Sequence, residues 1–251
     1  MSGHSKWATI KRKKGATDAA RGKLFTKLIK EITVAARMGG ADMTGNARLR
    51  KAVDEAKASQ MPSDNITRAV KRGTGEIEGA AFEEVLYEGT GPTGTLFLVE
   101  GATDNRNRSA AELRKIFDKN NGSMGGLGAA AWAFDRRGIV ILDKAAANED
   151  QLMETAVGSG ADDYADEGDV WTVYTPPEAL DRVTTALEKG GIAVKSSRLG
   201  YLPKNKKEVR GRDAEVCLNL ADALDDHDDV QSVYADFDVP EDEMQRIAGA
   251  D

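Results

Sequence analysis

The chain has 251 residues, 40% hydrophobic and 31% charged, with a formal net charge of -7. Its longest apolar runs, LFLV at 96–99 and IVIL at 139–142, have strand length and fall far short of a membrane span. The single cysteine, Cys217, excludes an intramolecular disulfide, and the length suits two or three small domains. No secretory signal is expected, because the basic start runs into further charge and not into an apolar segment.

The net charge conceals a strong asymmetry. Residues 1–72 hold 17 Lys/Arg against 6 Asp/Glu, a balance of +11, while the remainder holds 18 against 36, a balance of -18. Clustered cations attract a polyanion and an acidic remainder repels it, so the first segment is the expected contact with nucleic acid. Within it, SKWATIKRKKGATDAARGK supplies Lys6, Lys11, Arg12, Lys13, Lys14, Arg21 and Lys23 around a single acid, Asp18. Such a glycine-punctuated arm orders on a polyanion. Trp7 has two readings: a ring that stacks on an unpaired base, or a hydrophobic staple that pins the arm to the helical bundle.

Residues 22–38 read as a helix with Leu24, Phe25, Leu28, Ile29, Ile32, Ala35 and Ala36 on one side. Lys23, Lys27, Lys30 and Arg37 form a stripe on the other, and Gly39-Gly40 stops the helix. A second helix spans about 46–60, with Leu49, Val53 and Ala56 inward. A third comes after Met61-Pro62, N-capped by Ser63, with Ile66, Ala69 and Val70 on its apolar face. It carries Asn65 and Arg68 and ends near Lys71, Arg72 and Gly73. Three short amphipathic helices bury their stripes only against one another, which predicts a small bundle.

After the Gly-rich GTGEIEG at 73–79, strands are expected at 82–88, 94–101 and 129–134, with a helix over 106–119. From 138 to 202 the order is strand, helix, strand, strand, helix, strand, the βαββαβ signature of a ferredoxin-like fold. The rest adds a strand near KKEVR, a helix at about 213–225 and a strand at QSVYADFD. Together with 94–134 this also spells βαββαβ. The expected class is therefore α+β: a basic arm and three-helix bundle over 1–76, a discontinuous ferredoxin-like domain over 77–136 plus 204–251, and a second ferredoxin-like domain inserted over 137–203.

GTGPTG at 89–94 matches a dinucleotide-binding pattern, but strand residues come after it where that pattern requires a helix, so a hairpin turn is the better reading. The two histidines, His4 and His227, lie at opposite ends. Cys217 falls in an amphipathic helix as a small core residue. DDHDDV at 225–230 reads as a solvated helix terminus and not as a metal site. No metal, cofactor or catalytic residue is singled out. Arg106 and Arg108, in DNRNRSAAELRK, precede a helix where acids are normally favoured, which points to an external anion; the alternative is pairing with hairpin acids such as Glu83 or Glu88.

Several segments together carry a family resemblance: GHSKWATIKRKKGATDAARGKLFTKLIKEI at 3–32, MPSDNITRAVKRGTGE at 61–76, YEGTGPTGTLFLVEGATDNRNRSAAELR at 87–114, WAFDRRG at 132–138 and DDVQSVYADFD at 228–238. They resemble, in order and over nearly the whole chain, the YebC family, which includes the mitochondrial translational activator of cytochrome c oxidase. Ser109 stands where the family pattern leads one to expect threonine. The resemblance implies three domains, a cytoplasmic role in gene expression, and neither enzymatic activity nor cofactor. Members are commonly described as DNA-binding transcriptional regulators; others associate with ribosomes and relieve stalls at proline-rich sequences. The expected partner is thus nucleic acid, DNA or ribosomal RNA, with no membrane and a monomeric chain. The expected contacts are the arm residues with Trp7, then Lys23, Lys27, Lys30, Arg68, Lys71, Arg72, Arg106 and Arg108.

Overall fold

The computed structural model describes residues 18–250. Compactness divides the chain in two: residues 133–204 form one unit, and the described residues before and after them form the other.

The second unit begins with three helices, α1 (Asp18–Gly39), α2 (Ala47–Ala58) and α3 (Ser63–Gly73). Leu28, Ile32, Leu49, Val53, Met61 and Ile66 pack into their shared core, as the 3.6-residue spacing of the apolar positions requires. Asn46 ties the first two together: its carbonyl accepts from the Leu49 N–H at 3.0 Å as N-cap, while its Nδ2 donates to the carbonyls of Ala35 and Gly40. Ser63 is the first residue of α3 and not its cap; Pro62 precedes it in extended backbone, and no side chain caps that end.

The next element is a four-stranded antiparallel sheet, built from β1 (Glu83–Thr90), β2 (Leu96–Thr103), β3 (Ser123–Met124) and β9 (Val230–Ala235) in the order β3-β1-β2-β9. β1 and β2 form the hairpin expected around GTGPTG, with Glu83 opposite Thr103 and Thr90 opposite Leu96. Thr93 takes a left-handed conformation at the turn, φ 57°. Helices α4 (Arg106–Lys119) and α7 (Gly211–Asp225) share a core with Phe97, Val99 and Val230. Leu98, alternating to the opposite face, is equally buried, and α1 packs beside β2 and β9. Coverage on both faces explains why LFLV is uninterrupted by polar residues.

The connectivity departs from the expected βαββαβ. Residues 129–134 do not form a strand of this sheet; two-residue β3 takes the place beside β1. KKEVR contributes only β8 (Lys207–Glu208), which pairs in parallel with β10 (Phe237–Asp238) in a separate two-stranded sheet. The expected strand QSVYADFD is broken at Asp236, whose buried carboxylate accepts the Leu96 N–H at 2.7 Å and turns the chain out of the ladder. A final helix, α8 (Glu241–Ala250), buries Met244 and Ile247 and is absent from the sequence-based reading.

Residues 133–204 contain β4 (Phe134–Asp143), α5 (Glu149–Gly158), β5 (Asp163–Asp166), β6 (Val170–Thr175), α6 (Leu180–Lys189) and β7 (Ser196–Pro203). Their sheet runs β5-β6-β4-β7, antiparallel throughout, over a core of Val140, Leu142, Leu152, Val173, Val183 and Leu187. Gly138 in β4 is sterically required, since a Cβ there would run into Thr175 and the Leu180 side chain.

Candidate nucleic-acid interface

Lys6, Trp7, Lys11, Arg12, Lys13 and Lys14 lie outside the described residues, so both readings of Trp7 stay open. Arg21 is exposed on the first turns of α1.

The lysine stripe of α1 is where the structure departs furthest from expectation. Lys23, Lys27 and Lys30 do not face solvent as a free row. They meet the acidic run at the end of α7: Lys23 Nζ lies 3.1 Å from Asp226, Lys27 Nζ 2.9 Å from Asp225, and Lys30 Nζ 2.5 Å from Asp229. Lys27 and Lys30 also donate to the carbonyls of Asp225 and Asp228, each at 2.8 Å. Burial deepens along the row, with the three lysine side chains 45%, 18% and 8% exposed. DDHDDV is therefore a helix terminus that is solvated only in part: Asp225, Asp226 and Asp228 are exposed, whereas Asp229 is buried. It is the counter-surface of α1, because a cation on a packed helix face needs a carboxylate opposite it.

Asp229 is the centre of this contact and is buried. One carboxylate oxygen accepts from Lys30; the other accepts from Arg108 at 2.8 Å, Ser109 at 2.6 Å and Thr103 at 3.1 Å. Burial, the largest single influence, pushes its pKa up. The hydrogen bonds from Lys30, Ser109 and Arg108 together outweigh it and hold the carboxyl well below the usual carboxylate range. The residue at the threonine-expected position, Ser109, is thus a buried ligand of this carboxylate.

The cations at the start of α4 also find internal partners. Arg108 bridges Asp104 and Asp229, and Arg106 pairs with Glu83 at 2.8 Å, so the anion that their position calls for is supplied by the chain. Glu88, the other acid considered, instead accepts the backbone N–H groups of Gly128, Ala130 and Ala131 at 2.6–2.8 Å. Burial raises the pKa of Glu88, but these three donors outweigh it and leave it lowered. They also fix a loop that exposes Leu127 (96%) and Trp132 (67%). Glu88→Ala is expected to speed hydrogen exchange at the amides of Gly128, Ala130 and Ala131 by at least tenfold, since each loses a bond of about 1.5–3 kcal/mol. Unchanged protection there would remove Glu88 as the organiser of the loop.

Arg68 and Lys71 are exposed, with no ion pair among the described residues. Arg72 lines a cleft of about 560 Å³ with Thr33, Arg37, Ile77, Gly79 and Phe82, and its Nε is buried without a hydrogen-bond partner. The sequence did not point to this cleft, nor to the cluster of Glu112, His227 and Asp229. A cation would be poorly served by that cluster. Both oxygens of Asp229 are taken by donors that include two positive charges, and His227 Nδ1 accepts the Asp229 N–H at 3.1 Å, leaving Nε2 to meet Glu112 at 2.9 Å.

This arrangement can be set beside known proteins. Residues 5–76 match the TACO1/YebC protein N-terminal domain, and residues 82–237 match the TACO1/YebC second and third domain. The chain is 53% identical to a probable transcriptional regulatory protein of Geobacter sulfurreducens, over 98% of this chain and 100% of that protein. It is 52% identical to the protein of the same description from Desulfotalea psychrophila, over 99% and 100%. The crystal structure of a conserved hypothetical protein from Aquifex aeolicus superposes with a TM-score of 0.85 at 42% identity, covering 89% of this chain and 93% of that one. With both matched segments in order and full-length relatives above 50% identity, the chain belongs to the TACO1/YebC family.

Proposed function

We propose that this protein is a nucleic-acid-binding regulator of gene expression that holds duplex DNA through its basic N-terminal segment. One observation carries the proposal: the charge is segregated, +11 over residues 1–72 and -18 over the rest. A polyanion is drawn to one end of the sequence and repelled by the other. The names of the full-length relatives, probable transcriptional regulatory proteins, supply the regulatory half of the reading. The contacts are taken to be phosphate contacts, because lysine to phosphate carries little base information and α3 offers only Asn65 and Arg68 as base readers. The α/β parts are read as ferredoxin-like. In the interrupted sheet, hairpin strand β1 supplies the place that β6 fills in residues 133–204, which gives both sheets one spatial layout through different connections. No catalytic step, metal or cofactor enters the proposal, and the protein is taken to act in the cytoplasm as a monomer.

The test is selection of duplexes by the full-length protein from a randomised pool, then competition at moderate salt. A preferred site that survives excess competitor DNA is the expected result. Sequence-indifferent binding that collapses with salt would remove the DNA reading. Retention on ribosomal RNA alone would move the target to the ribosome.

A further inference from the structure

We infer that Lys23 and Lys27 form a latent phosphate-binding row, capped in the free protein by Asp225 and Asp226 and uncovered when a nucleic-acid backbone displaces those carboxylates. The inference rests on the nucleic-acid reading above and adds a mode of regulation to it.

Two independent features support it. The first is the gradient along α1. Lys30 and Asp229 form a buried anchor, whereas Asp225 and Asp226 are 51% and 63% exposed, so the outer two pairs can exchange partners without opening the core. Exposed pairs of this kind are held weakly and are screened by salt. The second is the position of the acids. Asp225 ends α7 and Asp226 is its C-cap, where the helix already presents partial negative charge and carboxylates are disfavoured. A carboxylate pair at this place is poorly explained by the stability of α7 and well explained as a match to cations. Lys23 and Lys27 are four residues apart on one helix face, about 5–6 Å between their Cβ atoms, so both can meet one phosphate backbone. Carboxylates in the free protein thus occupy the places that phosphates take in the complex.

The experiment is a double-mutant cycle on the full-length protein, read as binding of a fluorescent duplex and of a structured RNA across salt concentrations. Lys23→Gln/Lys27→Gln in the wild-type background is expected to weaken binding only about two- to fivefold, because displacing the carboxylates offsets most of what the two phosphate contacts contribute. Asp225→Asn/Asp226→Asn is expected to raise affinity roughly five- to tenfold at low salt and to steepen the log–log salt slope by about 1–2, the counterions of two further contacts. Adding the two lysine substitutions to this variant should abolish the gain. Asp54→Asn/Asp64→Asn, which makes the same charge change elsewhere on the bundle, should not reproduce the steeper slope. Thermal melts of the aspartate variants should stay near wild type, since Asp225 and Asp226 are half or more exposed, and the variants with Lys27→Gln should melt only slightly lower, because that side chain is partly buried. A gain that persists without the lysines, or no gain at all, overturns the latent row while leaving nucleic-acid binding by the wild type intact. Absence of binding by all of the variants overturns both.

Discussion

Asp229→Ala is expected to lower the stability of the protein by about 3–5 kcal/mol, the usual cost of removing one partner from a buried ion pair. Lys30 is only 7% exposed, and without Asp229 it keeps the Asp228 carbonyl and the face of the Phe82 ring, 5.3 Å away, but no counter-charge. Ser109 and Thr103 lose their common acceptor in the same step. For a chain of this size, about 2–4 °C per kcal/mol places the melting temperature roughly 6–20 °C lower by calorimetry. Hydrogen exchange should show α1 and the start of α4 opening first. Arg108, 44% exposed on its side chain, can turn to Asp104 and contributes less to the loss. Replacing the pair together, Lys30→Met with Asp229→Leu, should recover much of the deficit, because an apolar pair of similar volume carries no desolvation cost. If Asp229→Ala melts within 2 °C of wild type, the buried carboxylate is not what holds α1 to the sheet.

The same residue sets a pH dependence whose sign is determined. The folded-state pKa of Asp229 lies below its unfolded value, so its contribution to stability is full above about pH 4 and is lost as the pH falls through and below that range. Wild type should therefore lose stability more steeply than Asp229→Ala between about pH 4 and pH 2. Denaturant midpoints measured across that interval would check it; parallel curves would count against the assignment.

Local periodicity made much of this fold legible. The apolar faces of α1, α2 and α3, the hairpin at GTGPTG, the burial of Cys217 and the element order of residues 138–202 all arise from spacing and turn chemistry that act within a few residues. What stayed hidden depends on distant partners. Lys30 and Asp229 are 199 positions apart, and a helical stripe of lysines looks the same whether water or aspartate covers it. The signal was nonetheless present as two complementary patterns, lysines at 23, 27 and 30 and aspartates at 225, 226 and 229. β3 was missed because two residues are too few to show alternation, and the separate β8–β10 pairing because Asp236 interrupts an otherwise strand-like run. Arg106 and Arg108 were read first as facing an external anion; in the folded chain they pair internally, Arg106 with Glu83, the alternative named from sequence, and Arg108 with Asp229, which is too distant in sequence to have been considered.

These internal pairs sharpen the largest binding effect expected. With Lys30 buried and Lys23 and Lys27 engaged by aspartates, the affinity of the free protein for nucleic acid should reside mainly in the arm. Its quadruple Lys11-Arg12-Lys13-Lys14 is the densest run of positive charge in residues 1–72. Lys11→Gln/Arg12→Gln/Lys13→Gln/Lys14→Gln removes up to four phosphate contacts, which should lower the log–log salt slope on duplex DNA by about 3–4 and weaken binding on the order of 100-fold or more at about 0.1 M salt. The ion pairs of Lys30 with Asp229 and of Arg48 with Glu31 at 2.7 Å involve none of the four substituted residues, so thermal melts are expected to stay near wild type. Lys30→Gln should behave in the opposite way, lowering the melting temperature while leaving the salt slope of the folded protein unchanged. Fluorescence anisotropy and thermal melts on the two variants separate a residue that grips a partner from one that holds the bundle in place. A quadruple variant that binds like wild type would shift the interface to the exposed Arg68 and Lys71 at the end of α3.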